Sequence, residues 1–160
     1  MASSKTWAIA SVYATQRGLA LHSVLAGDGK DGDVYLTTEL TAAKVHHLPD
    51  SYRRELMAYV RLGSLGITEL GRFNIPSLED FDDDKLVIEM SYVSVPFIVD
   101  FASVYLDDDP GWIFDEGNTL EDLVRERFGD RCDEVMTLHY DLIRVAGIYY
   151  FDLNANNIKF

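Results

Sequence analysis

Tyr150-Phe151-Asp152-Leu153-Asn154-Ala155-Asn156-Asn157-Ile158 is the stretch on which the reading of this chain turns. It sets an aspartate and an asparagine, Asp152 and Asn157, five positions apart behind an apolar strand. Asp and Asn favour turns because their side chains bond nearby backbone, so this spacing alone is a weak signal. Its meaning depends on the segments that precede it.

Those segments belong to a globular chain. With 160 residues, 48% of them hydrophobic and 12% aromatic, the sequence can bury the core of one domain. A net charge of −13 and a pI of about 4.5 argue against a nucleic-acid partner, because phosphate tracking needs clustered Lys and Arg. The single cysteine, Cys132, forms no internal disulfide and no thiolate cluster, which points to a reducing, cytoplasmic setting. Lys5 precedes the apolar run Trp7 to Ala14, but that run is short, broken by Ser11 and poor in leucine for a secretory signal. No stretch approaches the roughly 18 apolar residues of a membrane span, so no membrane role is expected.

Leu19 to Leu25, Val34 to Thr38 and Thr41 to Val45 read as strands around a Gly/Asp-rich turn that runs through Gly32. Pro49-Asp50-Ser51 then opens a predicted helix with Asp50 or Ser51 as N-cap, Leu56, Tyr59 and Val60 on one face, and Gly63 or Gly66 as its stop. Lys85 to Met90 is a predicted buried strand after a loop from Glu79 to Asp84, with Leu70 to Phe73 available to pair with it. Beyond a break at Pro96, Phe97 to Leu106 and Asn118 to Phe128 read as helical, the second with Asn118 and Glu121 in capping-box spacing. Val135, Leu138, Leu142 and Val145 recur at helical intervals up to Gly147. A sheet-rich front half and a helical back half imply an α+β fold with a crevice between them.

In this order the segments resemble the protein-kinase-like fold, and Asp152 and Asn157 match its catalytic loop. The resemblance implies an N-terminal antiparallel sheet lobe with one helix, over about residues 19–90, and the start of a helical C-terminal lobe over 91–160, all within one domain. It assigns Asp152 as the base that orients the attacking hydroxyl and Asn157 as a magnesium ligand. Gly27, Gly29, Gly32 and Val34 fit the glycine-rich G-x-G-x-x-G-x-V pattern that lets backbone N–H groups approach phosphates. Asp28 and Asp31 within it carry the wrong charge for phosphate, and an acidic β-turn explains the same residues. Ala42-Ala43-Lys44-Val45 resembles the V-A-I-K strand, making Lys44 the cation on the α- and β-phosphates, and Glu55, eleven residues on, its ion-pair partner. Leu86 to Met90 is similar to the strand leading to the hinge, where backbone groups of Glu89, Met90 and Ser91 would bond adenine. Each residue also has a bland reading: a solvated lysine, a helix-surface glutamate, a buried strand.

The departures are as informative. Tyr150 and Phe151 stand where the family has His-Arg or His-Gly, so no arginine is placed there to receive an activation-loop phosphate. Val34 and Lys44 are close in sequence, leaving a very tight hairpin near Thr38 to Leu40. No D-F-G segment follows Asn157, so the second magnesium ligand is expected to be missing and Ile158-Lys159-Phe160 to be a strand without a partner. The chain is therefore expected to be an incomplete or a degenerate kinase-like protein.

Elsewhere, His46 and His47 are adjacent and on a strand point to opposite faces, which argues against a shared metal. The runs Asp82 to Asp84 and Asp107 to Asp109 lack the spacing of a calcium loop. The function expected is phosphoryl transfer from ATP, with Mg2+, to a hydroxyl of a protein or small molecule. The alternative is an inactive kinase-like binding module that works through protein contacts.

Overall fold

Residues 41–46 are buried at five successive positions, a pattern a strand acquires when both faces of its sheet are covered. The computed structural model of the protein describes residues 4–111 and 117–160. Strands β1 (Leu21–Asp28), β2 (Gly32–Thr37), β3 (Thr41–His46), β6 (Leu78–Asp82) and β7 (Val87–Ser91) form an antiparallel sheet ordered β1-β2-β3-β7-β6. Val34 lies opposite Lys44, and the turn between β2 and β3 is as short as expected, with Leu40 at φ 58.

Helix α1 (Ser4–Arg17) covers one face of this sheet, packing Ala10 and Tyr13 against Tyr35, Ala43, Val45 and Val87. The sequence pattern marks no element here because alanines serve both faces and give little contrast, yet alanine is the best helix former. Helix α2 (Pro49–Ser64) covers the other face with Tyr52, Glu55, Tyr59 and Leu62. Its N-cap is Leu48 in an extended conformation, and Pro49 takes the first helical position, where its missing N–H costs nothing. The expected caps Asp50 and Ser51 therefore lie within the first turn. Val60, expected on the inner face, is 51% exposed, and Gly63 remains helical while Gly66 follows the end at φ 67.

The expected pairing of Leu70 to Phe73 with residues 85–90 does not occur. Strand β4 (Glu69–Leu70) instead makes a hairpin with β5 (Phe73–Asn74) around Gly71 at φ 60. The partners of β7 are β3 and β6, and β6 occupies much of the segment expected to be the loop Glu79 to Asp84. Acidic side chains there mark a sheet edge, where charge deters further pairing.

Phe97 to Leu106 is not helical: it holds β8 (Phe97–Ile98) and β9 (Tyr105–Leu106), with Asp100 at φ 65 between them. A run apolar at nearly every position suits a helix or a short buried strand equally, and a distant partner decides. That partner is β11 (Ile158–Lys159): Ile98 lies opposite Ile158, and Phe97 opposite Lys159. The strand expected to stand unpaired is thus hydrogen bonded to β8 in a second sheet ordered β11-β8-β5-β4. Phe160 packs edge-on to Phe73 at 5.4 Å, with the Arg131 guanidinium 4.2 Å from its ring centre.

Helix α3 (Leu120–Phe128) has its capping box at Thr119 and Asp122, one residue beyond the expected Asn118 and Glu121. After a single 3₁₀ turn, α4 (Cys132–Ala146) runs to Gly147, whose left-handed φ of 62 ends the helix as its spacing predicts. Strand β10 (Ile148–Tyr149) pairs with β9 and delivers the chain to Asp152.

The fold is mixed α+β, with largely antiparallel sheets and four helices among the described residues. One apolar cluster runs through both halves. At its centre Phe101 stands edge-on to Tyr59 at 5.3 Å and to Tyr150 at 5.4 Å. Such aromatic pairs contribute about 0.5–1.5 kcal/mol each beyond burial. No helix among the described residues is long and apolar enough to cross a membrane.

Candidate functional site

Because successive side chains of β3 alternate between faces, Ala43 and Val45 point towards α1, while Lys44 and His46 point towards α2. Lys44 is only 4% exposed, so it is not a solvated lysine. Its Nζ donates to Glu55 Oε2 at 2.6 Å and to Asp100 Oδ1 at 2.8 Å. Glu55 is wholly buried, and its Oε2 also lies 2.7 Å from His46 Nε2, while its Oε1 accepts from the Phe101 N–H at 3.3 Å.

Burial alone would drive both charges towards their neutral forms, and the pairing reverses this. Burial pulls the Lys44 pKa down, but the carboxylates of Glu55 and Asp100 lift it well above the usual lysine range. Burial likewise pushes Glu55 up, yet the Lys44 charge and the His46 hydrogen bond bring it down to about 2. Asp100 moves the other way: its burial, with repulsion from Glu55, outweighs the attraction of Lys44 and raises its pKa. Of the two carboxylates on Lys44, Asp100 is the one whose ionised form is the less settled.

The loop after β10 contributes the second half of the site. Asn157 Nδ2 donates to Asp152 Oδ2 at 2.9 Å and Asn154 Nδ2 to Asp152 Oδ1 at 2.8 Å, so each carboxylate oxygen is held by one amide. Asn154 Oδ1 in turn accepts from the Asn156 N–H at 2.8 Å, closing a local turn. Tyr150 donates its hydroxyl to the Val99 carbonyl at 2.7 Å, and the Val99 N–H donates to the Asn157 carbonyl at 2.9 Å. The Asp152 loop and the Asp100 segment are thereby fastened to one another across fifty residues of sequence.

These groups face one cleft of about 960 Å³ between the large sheet and α3. Gly27, Gly29, Gly32 and Val34 line it together with Lys44, Glu55, Asp100, Asp152 and Asn157. Gly32 is required sterically, since a Cβ there would lie 2.5 Å from the Val45 carbonyl oxygen. Met90 and Ser91 also line the cleft. The Ser91 N–H, however, is already donated to the Ser77 carbonyl at 2.9 Å.

Glu89, expected to offer backbone groups to adenine, is not among the lining residues by its side chain. Its side chain lies under α1, where Oε2 accepts from Tyr13 at 2.9 Å and from Arg17 at 3.1 Å, and Oε1 accepts from Thr41 at 2.8 Å. Strand alternation sends it to the face opposite Lys44, the two-residue period that pattern reading in a buried strand leaves undetermined.

Three residues join the site that sequence reasoning did not single out. His46 carried a usable signal, standing two residues beyond Lys44 on the same strand face. Asn154 carried one in the D-x-N-x-x-N spacing. Asp100 carried none, because only the pairing of β8 with β11 brings it to Lys44. His47 lies on the opposite face, 4.0 Å from Asp33, and shares nothing with His46.

Among the described residues no group of three or more His, Cys, Asp or Glu could hold a metal by itself. Asp100, Asp152 and Asn157 nonetheless offer hard oxygen donors, the type that binds magnesium together with phosphate oxygens. No model of a known protein family matches the chain, and no curated protein matches it in sequence.

Proposed function

We propose that the cleft binds ATP and that the protein transfers its terminal phosphoryl group to a hydroxyl acceptor, as a protein-kinase-like domain does. The observation that carries this reading is the convergence of Lys44, Glu55, Asp100, Asp152 and Asn157, from well-separated segments, on one cleft beside a glycine-bearing hairpin. Lys44 supplies positive charge for the phosphates, and Glu55 with His46 fixes its direction. The Asp152 carboxylate, held by Asn154 and Asn157, accepts the proton of the attacking hydroxyl. A bond forms between the acceptor oxygen and the γ-phosphorus, the bridging bond to the β-phosphate breaks, and ADP leaves.

Magnesium, when bound, neutralises phosphate charge. Asp100 and Asn157 are the residues that would hold it. On this reading Asp100-Phe101-Ala102 takes the role expected of a D-F-G segment but precedes the catalytic loop in sequence. Strand β8 reaches it by pairing with β11, so chain order and spatial order differ. A cytoplasmic location accords with the single, buried cysteine.

A second reading is a binding module without transfer activity. The contact of Asp100 with Lys44 favours it, because Asp100 neutralises the cation that a phosphate would use. Titrating Mg-ATP while following thermal unfolding, with Lys44→Ala and Asn157→Ala beside the parent, tests both. Ligand at a hundredfold its dissociation constant adds about 2.7 kcal/mol of stability. A rise that both substitutions abolish supports the nucleotide site, and no rise at millimolar Mg-ATP removes it. Asp152→Ala separates the two readings: it should cut transfer by roughly 10²–10⁴-fold while leaving the thermal shift. A parent that binds but never transfers is the module.

A further inference from the structure

In a chain with 27 acidic and 14 basic residues, a cation that lacks a carboxylate partner is unusual. Arg17, Lys44, Arg53, Arg61, Arg72, Lys85, Arg125, Arg131 and Arg144 all have one. Among the described residues Lys30, Arg54, Arg127 and Lys159 make no ion pair; Arg54 donates to the Ala102 carbonyl at 2.9 Å, and the other three line the cleft. Such charges at a concave surface point to an anionic ligand.

The three stand at different places in the cleft. Lys30 belongs to the turn between β1 and β2, and Lys159 lies opposite Phe97 at the β8–β11 pair. Arg127 instead comes from α3, and its Nη1 donates to the Leu153 carbonyl at 2.8 Å, one residue from Asp152. That bond uses one of the five guanidinium donors and aligns the fork beside the catalytic loop.

We propose that Arg127 binds an anionic group of the acceptor, a small hydroxyl compound carrying a phosphate or carboxylate. This rests on the phosphotransferase reading and adds the substrate class to it. The acceptor's anion pairs with the remaining guanidinium donors, in the bidentate manner that arginine favours for carboxylate and phosphate. Its hydroxyl is thereby directed to Asp152, one residue from the carbonyl that holds Arg127.

The test is calorimetric titration of glycerol 3-phosphate, glucose 6-phosphate and glycerate, against glycerol and glucose, into protein saturated with magnesium and the non-hydrolysable analogue AMP-PNP. At least one anionic compound should bind roughly tenfold or more tightly than its neutral counterpart. Arg127→Gln should erase that preference, Arg127→Lys should keep part of it, and Arg144→Gln, an equal change of charge on the surface, should leave it intact. AMP-PNP affinity should be the same in all four proteins. Equal binding of anionic and neutral compounds, or a preference that survives Arg127→Gln, overturns the proposal. Failure of AMP-PNP to bind the parent is a separate result and overturns the nucleotide reading on which it rests.

Discussion

Two glutamates lie buried on opposite faces of the same sheet, and they differ in what surrounds them. Glu55 is 0% exposed and Glu89 2%, so burial does not distinguish them. Glu55 meets a buried lysine and a histidine at the back of an open cleft, whereas Glu89 meets two hydroxyls and a half-exposed arginine beneath a closed helix. The first group leaves Lys44 and Asp100 directed at an empty volume; the second fills its own space and fastens α1. A buried charge indicates a site when its partners also face a cavity, and a fastening when they do not.

Removing each carboxylate is the largest way to break this contrast. Glu55→Ala leaves Lys44 in the interior with Asp100 alone, and loss of one partner of a buried pair costs about 3–5 kcal/mol. Urea unfolding should register that loss, and the Mg-ATP thermal shift should vanish with it. Glu89→Ala should cost less, about 1–3 kcal/mol, because its partners are mostly neutral and Arg17 can turn to water. It should leave Mg-ATP affinity as in the parent, and a Glu89→Ala protein that folds but no longer binds Mg-ATP would abolish the distinction.

Acidification sharpens it. The Glu55 pKa is depressed from 4.5 to about 2 in the folded protein, so the stability it brings is present above pH 4.5 and is lost as the pH falls towards 2. Asp100, whose pKa burial raises, works in the opposite sense, since its ionised form is the one that the fold disfavours. Unfolding free energy measured between pH 4.5 and about 2 should therefore fall less steeply in Glu55→Gln than in the parent. Equal slopes would show that Glu55 is not the group losing its partner.

The smallest expected effect is on the α1 side. Tyr13→Phe removes one hydrogen bond to Glu89 and should cost about 1 kcal/mol, with transfer activity and nucleotide affinity unchanged. A loss of nucleotide affinity in this variant would mean that the two faces are coupled through β7.

Some of this architecture was legible because it rests on local rules. The strand runs Val34 to Thr38 and Thr41 to Val45 beside a Gly/Asp-rich turn, the apolar spacing of Val135, Leu138 and Leu142, and the glycine stop at Gly147 all reflect composition, period and turn chemistry. Errors of a single residue, such as Asn118 and Glu121 in place of Thr119 and Asp122, arise where adjacent residues have equal capping ability. The error over Phe97 to Leu106 was of another kind. Those residues are apolar enough for either structure, and their strand conformation is set by residues 158 and 159.

The sequence by itself determined the α+β class, the glycine hairpin, the Lys44 strand and the Asp152 to Asn157 loop, since each is written in residues near one another. Tertiary structure alone decided that Glu89 turns away from the cleft, that Asp100 enters it and that Arg127 stands beside Asp152. A strand's inward face depends on which layer covers it, and a pairing between residues 97–98 and 158–159 gains its hydrogen bonds only after the chain between them has folded.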